Sequence, residues 1–352
     1  MIYYIVFTTI FSYLFLFLYP EKYQLTPRIE SNWAWDKSSE VGLEEDSRYK
    51  ISHKKIWNGY KLGGEYLFSK YKINREEGIL EIPAFGKGYF VYKKIGSGIS
   101  YYSKSSELLW NKPYQSYPFS SPNGKLCFLV SGDGNQVLVI DENGISVGVE
   151  KLDGRFLTDY SFSREGNSVI VFSGGEIFIL DKTGKLLFKK KNDSEKEILF
   201  YKSSSISPNG TLVAIHHQKA EKDYILIFDL KSNEESEIEL SKIYPHKIYL
   251  SISDSKTLAV NLKDELLIFD KKGKLIHKTE KKKNLSIYQP ILSSDGIFAA
   301  QIDDNIVFLN EKGDVLKFIS NFKEPLRLLL SPIPNLFYVE TPEEIISYQI
   351  FP

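Results

Sequence analysis

A short serine-led turn recurs five times and constrains this chain more than any other feature. The turns are Ser121-Pro122-Asn123-Gly124, Ser163-Arg164-Glu165-Gly166, Ser207-Pro208-Asn209-Gly210, Ser253-Asp254-Ser255-Lys256 and Ser293-Ser294-Asp295-Gly296, with their serines 42, 44, 46 and 40 residues apart. Each turn precedes an apolar run, then a polar hairpin, then a second apolar run that closes on Asp141, Asp181, Asp229, Asp270 or Asn310. An Asp or Asn there can accept hydrogen bonds from the backbone of its own turn, so a structural role accounts for it.

A period near 40 with several short strands per unit is the signature of a β-propeller blade. One complete unit reads as four strands: Ile79-Leu80-Glu81-Ile82, Gly88-Tyr89-Phe90-Val91-Tyr92, Ile99-Ser100-Tyr101-Tyr102 and Leu108-Leu109-Trp110. The last unit, ending at Pro352, offers only three strands, and the strand at residues 66–73 lacks a sequential partner. Pairing these two would close the ring and remove an exposed edge. The expected fold is therefore an all-β propeller of seven four-stranded blades, with six or eight as alternatives. Its parts divide into a segment over 1–20, a stalk or linker over 21–61 and the propeller over 62–352.

Residues Ile2 to Tyr19 carry no charge, and about 18 to 20 apolar residues can span a bilayer as a helix. No small-residue cleavage site follows, since the exit reads Leu16-Phe17-Leu18-Tyr19-Pro20-Glu21. This favours a retained membrane anchor over a cleaved signal peptide. The propeller is then expected to be exported, in a bacterial periplasm or at a cell surface, or secreted if the segment is cleaved. Trp33, Trp35 and Trp57 fall in the expected stalk, where they would lie on the domain or at the membrane interface.

Lys+Arg and Asp+Glu are both 45, so the net charge is zero. No global positive field is available to hold a nucleic-acid backbone. Cys127 is the single cysteine; it excludes an internal disulfide and reads as a small buried hydrophobe.

Ile206-Ser207-Pro208-Asn209-Gly210-Thr211-Leu212-Val213-Ala214 resembles the repeat of WD-type and TolB-type propellers. Ile179-Leu180-Asp181-Lys182-Thr183-Gly184-Lys185-Leu186-Leu187-Phe188 is similar to the repeat of quinoprotein (pyrroloquinoline-quinone) propellers. These resemblances cover residues 66–352 and imply the blade geometry. The quinoprotein tryptophan, four residues after the repeat glycine, is replaced by Gly148, Phe188, His277 and Lys317, with Trp110 the only match. The cofactor-stacking disulfide of many quinoproteins is impossible with one cysteine. The resemblance thus implies the architecture without the cofactor, and propellers serve as enzymes, scaffolds and receptors alike.

No complete catalytic or metal signature appears among the five histidines His53, His216, His217, His246 and His277. His216-His217 sits at a strand end, where adjacent side chains point to opposite faces and cannot chelate one ion; the pair reads as an exposed hairpin shoulder. Ser131, Asp133 and Asn135 only partly match a calcium loop and serve a turn. Gly144-Ile145-Ser146-Val147-Gly148 lacks the strand-to-helix context of a nucleophile elbow. Lys189-Lys190-Lys191 and Lys281-Lys282-Lys283 read as solvated basic runs.

The leading expectation is a non-catalytic propeller that binds a protein or envelope component through its loops. No cofactor and no catalytic or metal residue is assigned, and a small-molecule ligand is left open. The candidate contacts are His216, His217, Gln218 and Lys219, then Asp133 and Asn135, then Asp303 and Asp304. The alternative is a propeller hydrolase or lyase with its site at the mouth of the central channel.

Overall fold

The computed structural model describes residues 2–18, 27–36, 60–62, 65–68, 71–73, 78–83, 88–103, 106–148, 152–191, 199–262, 265–279, 292–294, 296–302, 304–320, 322, 326–330 and 335–351. Seven four-stranded antiparallel sheets follow one another along the chain, as expected of a seven-bladed propeller. Blade 1 comprises Ile79–Glu81, Gly88–Tyr92, Ile99–Ser103 and Leu108–Lys112. Blade 2 comprises Ser116–Ser120, Leu126–Ser131, Gln136–Asp141 and Leu152–Asp153. Blade 3 comprises Leu157–Phe162, Ser168–Phe172, Ile177–Leu180 and Leu186–Lys190. Blade 4 comprises Leu199–Ile206, Leu212–Lys219, Lys222–Asp229 and Glu234–Glu239. Blade 5 comprises Tyr249–Ile252, Leu258–Asn261, Leu266–Phe269 and Leu275–Lys278, and blade 6 comprises Leu292–Ser294, Ile297–Ile302, Asn305–Asn310 and Val315–Ile319. Blade 7 comprises Arg327–Leu330, Leu336–Glu340 and Glu344–Phe351, completed by Arg28–Asp36 from the other end of the chain.

The second and third strands are buried on both faces, which explains their unbroken apolar runs. Successive side chains alternate between faces, so one strand feeds two cores. In blade 3, Ile170 and Phe172 pack with Phe128 and Val139 of blade 2. Val169 and Val171 pack instead with Val213 and Ile215 of blade 4. Leu212 and Ala214 face Leu258 and Val260 of blade 5, and Ala259 and Ile268 face Phe298 and Ala300 of blade 6. Each such fully buried Val, Leu, Ile or Phe contributes about 1.5–3 kcal/mol. Cys127 lies in the blade 1–2 core beside Phe90 and Ile140, and burial pushes its thiol pKa well up.

The recurring turn has a visible cause. Ser121 Oγ accepts the Leu126 N–H at 3.0 Å and donates to Asn123 Oδ1 at 2.8 Å. Ser207 repeats this with Leu212 N–H at 3.1 Å and Asn209 Oδ1 at 2.8 Å. The turns also join blade to blade: Asn123 Nδ2 donates to Glu165 O at 2.8 Å, and the Asn209 N–H donates to Asp254 Oδ1 at 3.0 Å. Ser255 Oγ donates to the Glu311 carboxylate. The acid that closes each third strand does what the sequence suggested. Asp181 Oδ1 accepts the Thr183 and Lys185 N–H groups at 2.8 and 2.9 Å, and Asp270 Oδ1 accepts those of Lys272 and Lys274 at 2.9 Å.

Trp110 packs onto the next blade. Its ring lies against Gly144 of the next blade, where a Cβ would sit 2.9 Å from the indole, and its Nε1 donates to Glu142 O at 3.0 Å. Gly144 has φ +69°, a left-handed conformation suited to glycine. The Gly144–Gly148 string is thus part of a turn: Asp141 Oδ1 accepts the Asn143 and Ile145 N–H groups at 2.9 and 2.8 Å.

The closing strand is not the one expected from the sequence. Arg28–Asp36 pairs antiparallel with Glu344–Phe351, from Arg28 opposite Phe351 to Asp36 opposite Glu344, with an irregularity between Ser31 and Trp33. Ile29 joins Phe308, Phe337, Tyr348 and Ile350 in the blade 6–7 core, and Lys317 of blade 6 donates to the Ile29 carbonyl. Residues 66–73 instead belong to a separate three-stranded sheet of Tyr60–Leu62, Glu65–Phe68 and Tyr71–Ile73. The reason is length and locality. Glu65–Phe68 finds hairpin partners on both sides within a few residues, whereas the last strand needs a long edge, which nine-residue Arg28–Asp36 supplies. Trp33 and Trp35, assigned to a stalk from the sequence, lie on this strand.

An α-helix runs from Ile2 to Leu18 over 17 residues without a charge. Among the described residues no helix is long and apolar enough to cross a membrane.

Candidate functional site

Antiparallel order sorts the loops onto two faces. Turns joining strands one to two and three to four, including the serine turns, lie on one face. Hairpins joining strands two to three lie on the other, with the crossovers between blades. First strands of successive blades approach one another at the centre: Ser161 Oγ of blade 3 donates to Ser204 O of blade 4 at 2.8 Å. The fourth strands are largely exposed at the rim.

All the loops proposed from the sequence open on the crossover face. Asp133 and Asn135 form the blade 2 hairpin, where Asp133 Oδ1 accepts from Ser131 Oγ at 2.6 Å and from the Asn135 N–H at 3.3 Å. Those bonds draw the Asp133 pKa down. Gln218 and Lys219 end the second strand of blade 4, and Gln218 Nε2 donates to Ala220 O at 3.3 Å. Asp304 accepts from Asn305 Nδ2 at 2.7 Å in the blade 6 hairpin; Asp303 lies outside the described residues, as do Lys281-Lys282-Lys283 and His53. Blades 2, 4 and 6 alternate around the ring, so these loops share a face without forming one patch. Among the described residues no group of three or more metal-ligating side chains occurs.

His216 and His217 are not an exposed shoulder. Both are buried within Leu212–Lys219, because the strand runs further into the hairpin than its polar letters suggest. They do point to opposite sides. His217 lies between the rings of Tyr201 and Tyr224, at centroid distances of 5.4 and 5.6 Å, with its Nε2 3.3 Å from Glu237 Oε1. His216, on the blade 5 side, enters a buried charged network that the sequence did not disclose. Its Nε2 is 2.9 Å from Asp223 Oδ2. Asp223 also receives Lys202 Nζ at 2.8 and 2.9 Å and the Tyr244 N–H at 2.7 Å. Lys202 Nζ further donates to Tyr244 O at 2.9 Å, with its side chain only 8% exposed.

Electrostatics follow from this packing. Burial disfavours the charged imidazole and lowers the His216 pKa against the opposing pull of Asp223. Burial alone would raise the Asp223 pKa, but the hydrogen bonds from His216, Lys202 and Tyr244 outweigh it and hold the carboxyl below its usual value. Both shifts run the same way, favouring an Asp223 carboxylate beside a neutral His216 imidazole. The network's geometric effect is on the blade 4–5 crossover, residues 240–248. That loop is pinned by the Leu240 N–H on Asp223 O at 2.8 Å, by both backbone groups of Tyr244, and by Lys247 Nζ on Asp159 Oδ1 at 2.6 Å.

Two further acids lie on inner strands. Asp159 Oδ2 accepts the Ser204 N–H at 2.8 Å; burial raises its pKa and Lys247 opposes this. Glu81 Oε1 accepts from Ser120 N and Oγ at 2.9 and 2.7 Å, and burial raises its pKa. Lys202 was the legible clue to the network, as a lone cation in the first strand Tyr201-Lys202-Ser203-Ser204-Ser205-Ile206. Its partners, twenty or more residues away, carried no local sign.

Large apolar side chains are exposed around the same face. Ile95 in the blade 1 hairpin is 90% exposed, Phe156 in the blade 2–3 crossover 54%, Phe200 at the start of blade 4 44% and Ile243 in the blade 4–5 crossover 39%. Phe156 lies over the Asp133–Asn135 hairpin, its ring 3.0 Å from where a Gly134 Cβ would be.

Residues 65–238 match the model of a family described as a family of unknown function (DUF5711), a span running from the three-stranded sheet to the fourth strand of blade 4. No curated protein matches the chain. Among solved structures, the chain is similar to BamB from Moraxella catarrhalis, with TM-score 0.53, 13% identity, and coverage of 79% of this chain and 87% of that one. A catalytically inactive virginiamycin B lyase from Staphylococcus aureus aligns with TM-score 0.49 and 9% identity over 79% of this chain and 97% of that one. The β-propeller domain of Myceliophteria thermophila Cps50 (Swd1) aligns with TM-score 0.46 and 14% identity over 78% and 96%. At such identities a likeness speaks for the fold alone, and what the chain shares with BamB is the β-propeller.

Proposed function

We propose that this protein is a non-catalytic binding module: a rigid propeller, held at a membrane by its N-terminal helix, that engages a protein or envelope component through its crossover face. The observation that carries the reading is the placement of Ile95, Phe156, Phe200 and Ile243 on that face. Each is a large apolar side chain standing among polar loop residues, where it can serve as an anchor for a partner. The inner-strand acids support it as well. Asp159, Asp223 and Glu81 each hold backbone groups of the next strand or loop in place, which is a structural use of charge.

Membrane attachment rests on Ile2–Leu18. Its Tyr3, Tyr4, Phe7, Phe11 and Tyr13 side chains are exposed and not packed on the propeller. Seventeen residues rise about 25 Å, slightly short of a ~30 Å hydrocarbon core, and a mismatch of that size costs fractions of a kcal/mol per Å.

Photo-crosslinking in cells tests the binding role. A photoreactive residue at Ile95 or Phe156 should give discrete protein adducts, and one at Ile145 on the serine-turn face should not. Equal labelling from both faces, or from neither, would refute it.

A further inference from the structure

A small irregularity recurs where the fourth strands begin. In blades 1, 3, 5 and 6 the pairing of the third and fourth strands slips by one residue just after the turn that joins them. Tyr102 faces Leu108 and Tyr101 faces Trp110, which leaves Leu109 over. Leu187, Ile276 and Leu316 are left over in the same way. Such a β-bulge re-aims the side chains beside it. Each extra residue is Leu or Ile. Leu316 packs partly against the blade 6–7 core, but Leu109, Leu187 and Ile276 are exposed, as are Leu108, Leu275 and Val315 beside the bulges. Blade 2 places exposed Ile145 at the end of the same turn, and blade 7 ends on exposed Phe351. Blade 4, by contrast, pairs in register there and carries Glu234 and Glu235.

Equivalent positions in successive blades lie at one level, so these side chains form an apolar circle around the serine-turn face, broken only at blade 4. The same face receives the N-terminal helix. Arg28, the first residue of the closing strand, lies opposite Phe351 at the serine-turn end, and only residues 19–27 separate it from Leu18. At about 3.6 Å per residue that link spans at most roughly 32 Å. Arg28–Asp36 itself runs from one face to the other over nine residues, roughly 30 Å at about 3.3 Å per residue. The link would therefore be fully stretched merely to bring the end of the helix level with the crossover face. A helix held in a bilayer thus leaves the bilayer on the serine-turn side. The turns of that face carry lysines and acids in near-equal number: Lys271, Lys272 and Lys274 of blade 5 stand against Asp141 and Glu142 of blade 2 and Glu311 and Asp314 of blade 6. No net field selects a charged partner, which leaves apolar contact.

We propose that the serine-turn face lies flat on the bilayer, with Leu109, Ile145, Leu187, Ile276 and Val315 inserted among the lipid headgroups. This rests on the membrane-held reading above and adds to it the orientation of the ring and the residues that touch lipid. Apolar side chains gain from leaving water without needing a shaped partner, so groups spread around a ring act together on a fluid, level surface. Tethering supplies a high local concentration. Contacts too weak to retain a free propeller therefore suffice once the helix is in place. The crossover face is then turned away from the membrane and open to a partner.

The test uses the full chain in phosphatidylcholine liposomes at low protein density. Ile145→Cys, Leu187→Cys, Val315→Cys and Ile95→Cys are each labelled with an environment-sensitive nitrobenzoxadiazole dye, and thermal melts check that each variant is folded. Native Cys127 is buried, and the unsubstituted chain serves as the blank. Blade 3 lies across the ring from blade 7, so the dye at Leu187 reports docking of the whole face and not nearness to the helix. Lipid carrying a nitroxide near its headgroup should quench the dyes at Ile145, Leu187 and Val315 at least threefold more than the dye at Ile95, and aqueous iodide should quench in the reverse order. Lipid quenching at Val315 with iodide access at Ile145 and Leu187 would mean that the ring stands on its edge, and would overturn the proposal. Protection from iodide without lipid quenching would also overturn it, since protein or a second copy would then cover the face. Flotation separates this inference from the reading beneath it. Protein that floats with the liposomes but leaves Ile145 and Leu187 open to iodide loses only the docking of this face; protein that does not float loses membrane attachment as well.

Discussion

Removing the Asp223 carboxylate is the sharpest test of the buried network. In Asp223→Ala, Lys202 Nζ keeps the Tyr244 carbonyl but loses its countercharge, His216 Nε2 loses the carboxylate, and the Tyr244 N–H loses its Asp223 acceptor. Among the described residues nothing hydrogen-bonds the buried His216 Nδ1. Breaking one side of a buried ion pair costs about 3–5 kcal/mol, and an orphaned buried donor adds about 1–3 kcal/mol, not fully additively. We expect Asp223→Ala to destabilise the propeller by about 4 kcal/mol in urea unfolding. Lys202→Met should cost less, about 2 kcal/mol, because His216 and the Tyr244 N–H still serve Asp223 and the Met stem replaces the lysine packing. Combining Lys202→Met with Asp223→Ala should cost clearly less than the two separate losses together, since no uncompensated ammonium remains. A loss below about 1 kcal/mol for Asp223→Ala, or strict additivity, would mean that the hairpin is solvated and the network reasoning is wrong. His216→Ala, which an exposed histidine would tolerate within about 0.5 kcal/mol, should cost about 2 kcal/mol.

Three further outcomes follow from the geometry. Deleting residues 28–36 should lower the melting temperature of the whole propeller by stripping the fourth strand from blade 7, whereas deleting 2–18 should leave the melt unchanged and release the protein from membranes on fractionation; a stable protein without 28–36 would contradict the closure. Gly144→Ala should cost about 2 kcal/mol by urea unfolding, because φ +69° disfavours a side chain and its Cβ would press on Trp110; a neutral result would remove Trp110 as an inter-blade contact. The pKa of His216 is lowered by burial, so the unfolded chain takes up its proton first as pH falls through about 6.5. Stability should then drop on acidification, by no more than about 1.4 kcal/mol for each pH unit below 6.5 per such histidine. Glu81 and Asp159, whose pKa values are raised, act oppositely by favouring the folded state as pH falls. Comparing denaturation of the wild type and His216→Gln at pH 7.5 and 5.5 isolates the histidine, and an unchanged difference would show that it titrates normally.

The repeat determined the architecture without any tertiary information. A serine whose hydroxyl holds the N–H five residues on, and an acid whose oxygen holds the N–H groups two and four residues on, are local devices, so Ser121, Ser207, Asp181 and Asp270 could be understood from their own turns. The apolar runs between them, buried on both faces, announced blades for the same reason. What the tertiary structure alone decided was long-range pairing. Arg28–Asp36 is interrupted by charge and by an irregular step near Asn32, and its pairing with Glu344–Phe351 depends on a partner more than 300 residues away. The burial of His216 and His217 likewise depended on neighbours from other strands. Polar letters at a strand end read as solvent when taken alone; Asp223, across the hairpin, bonds His216, and Lys202 and Tyr244 from other segments complete the Asp223 carboxylate's hydrogen bonds in place of water.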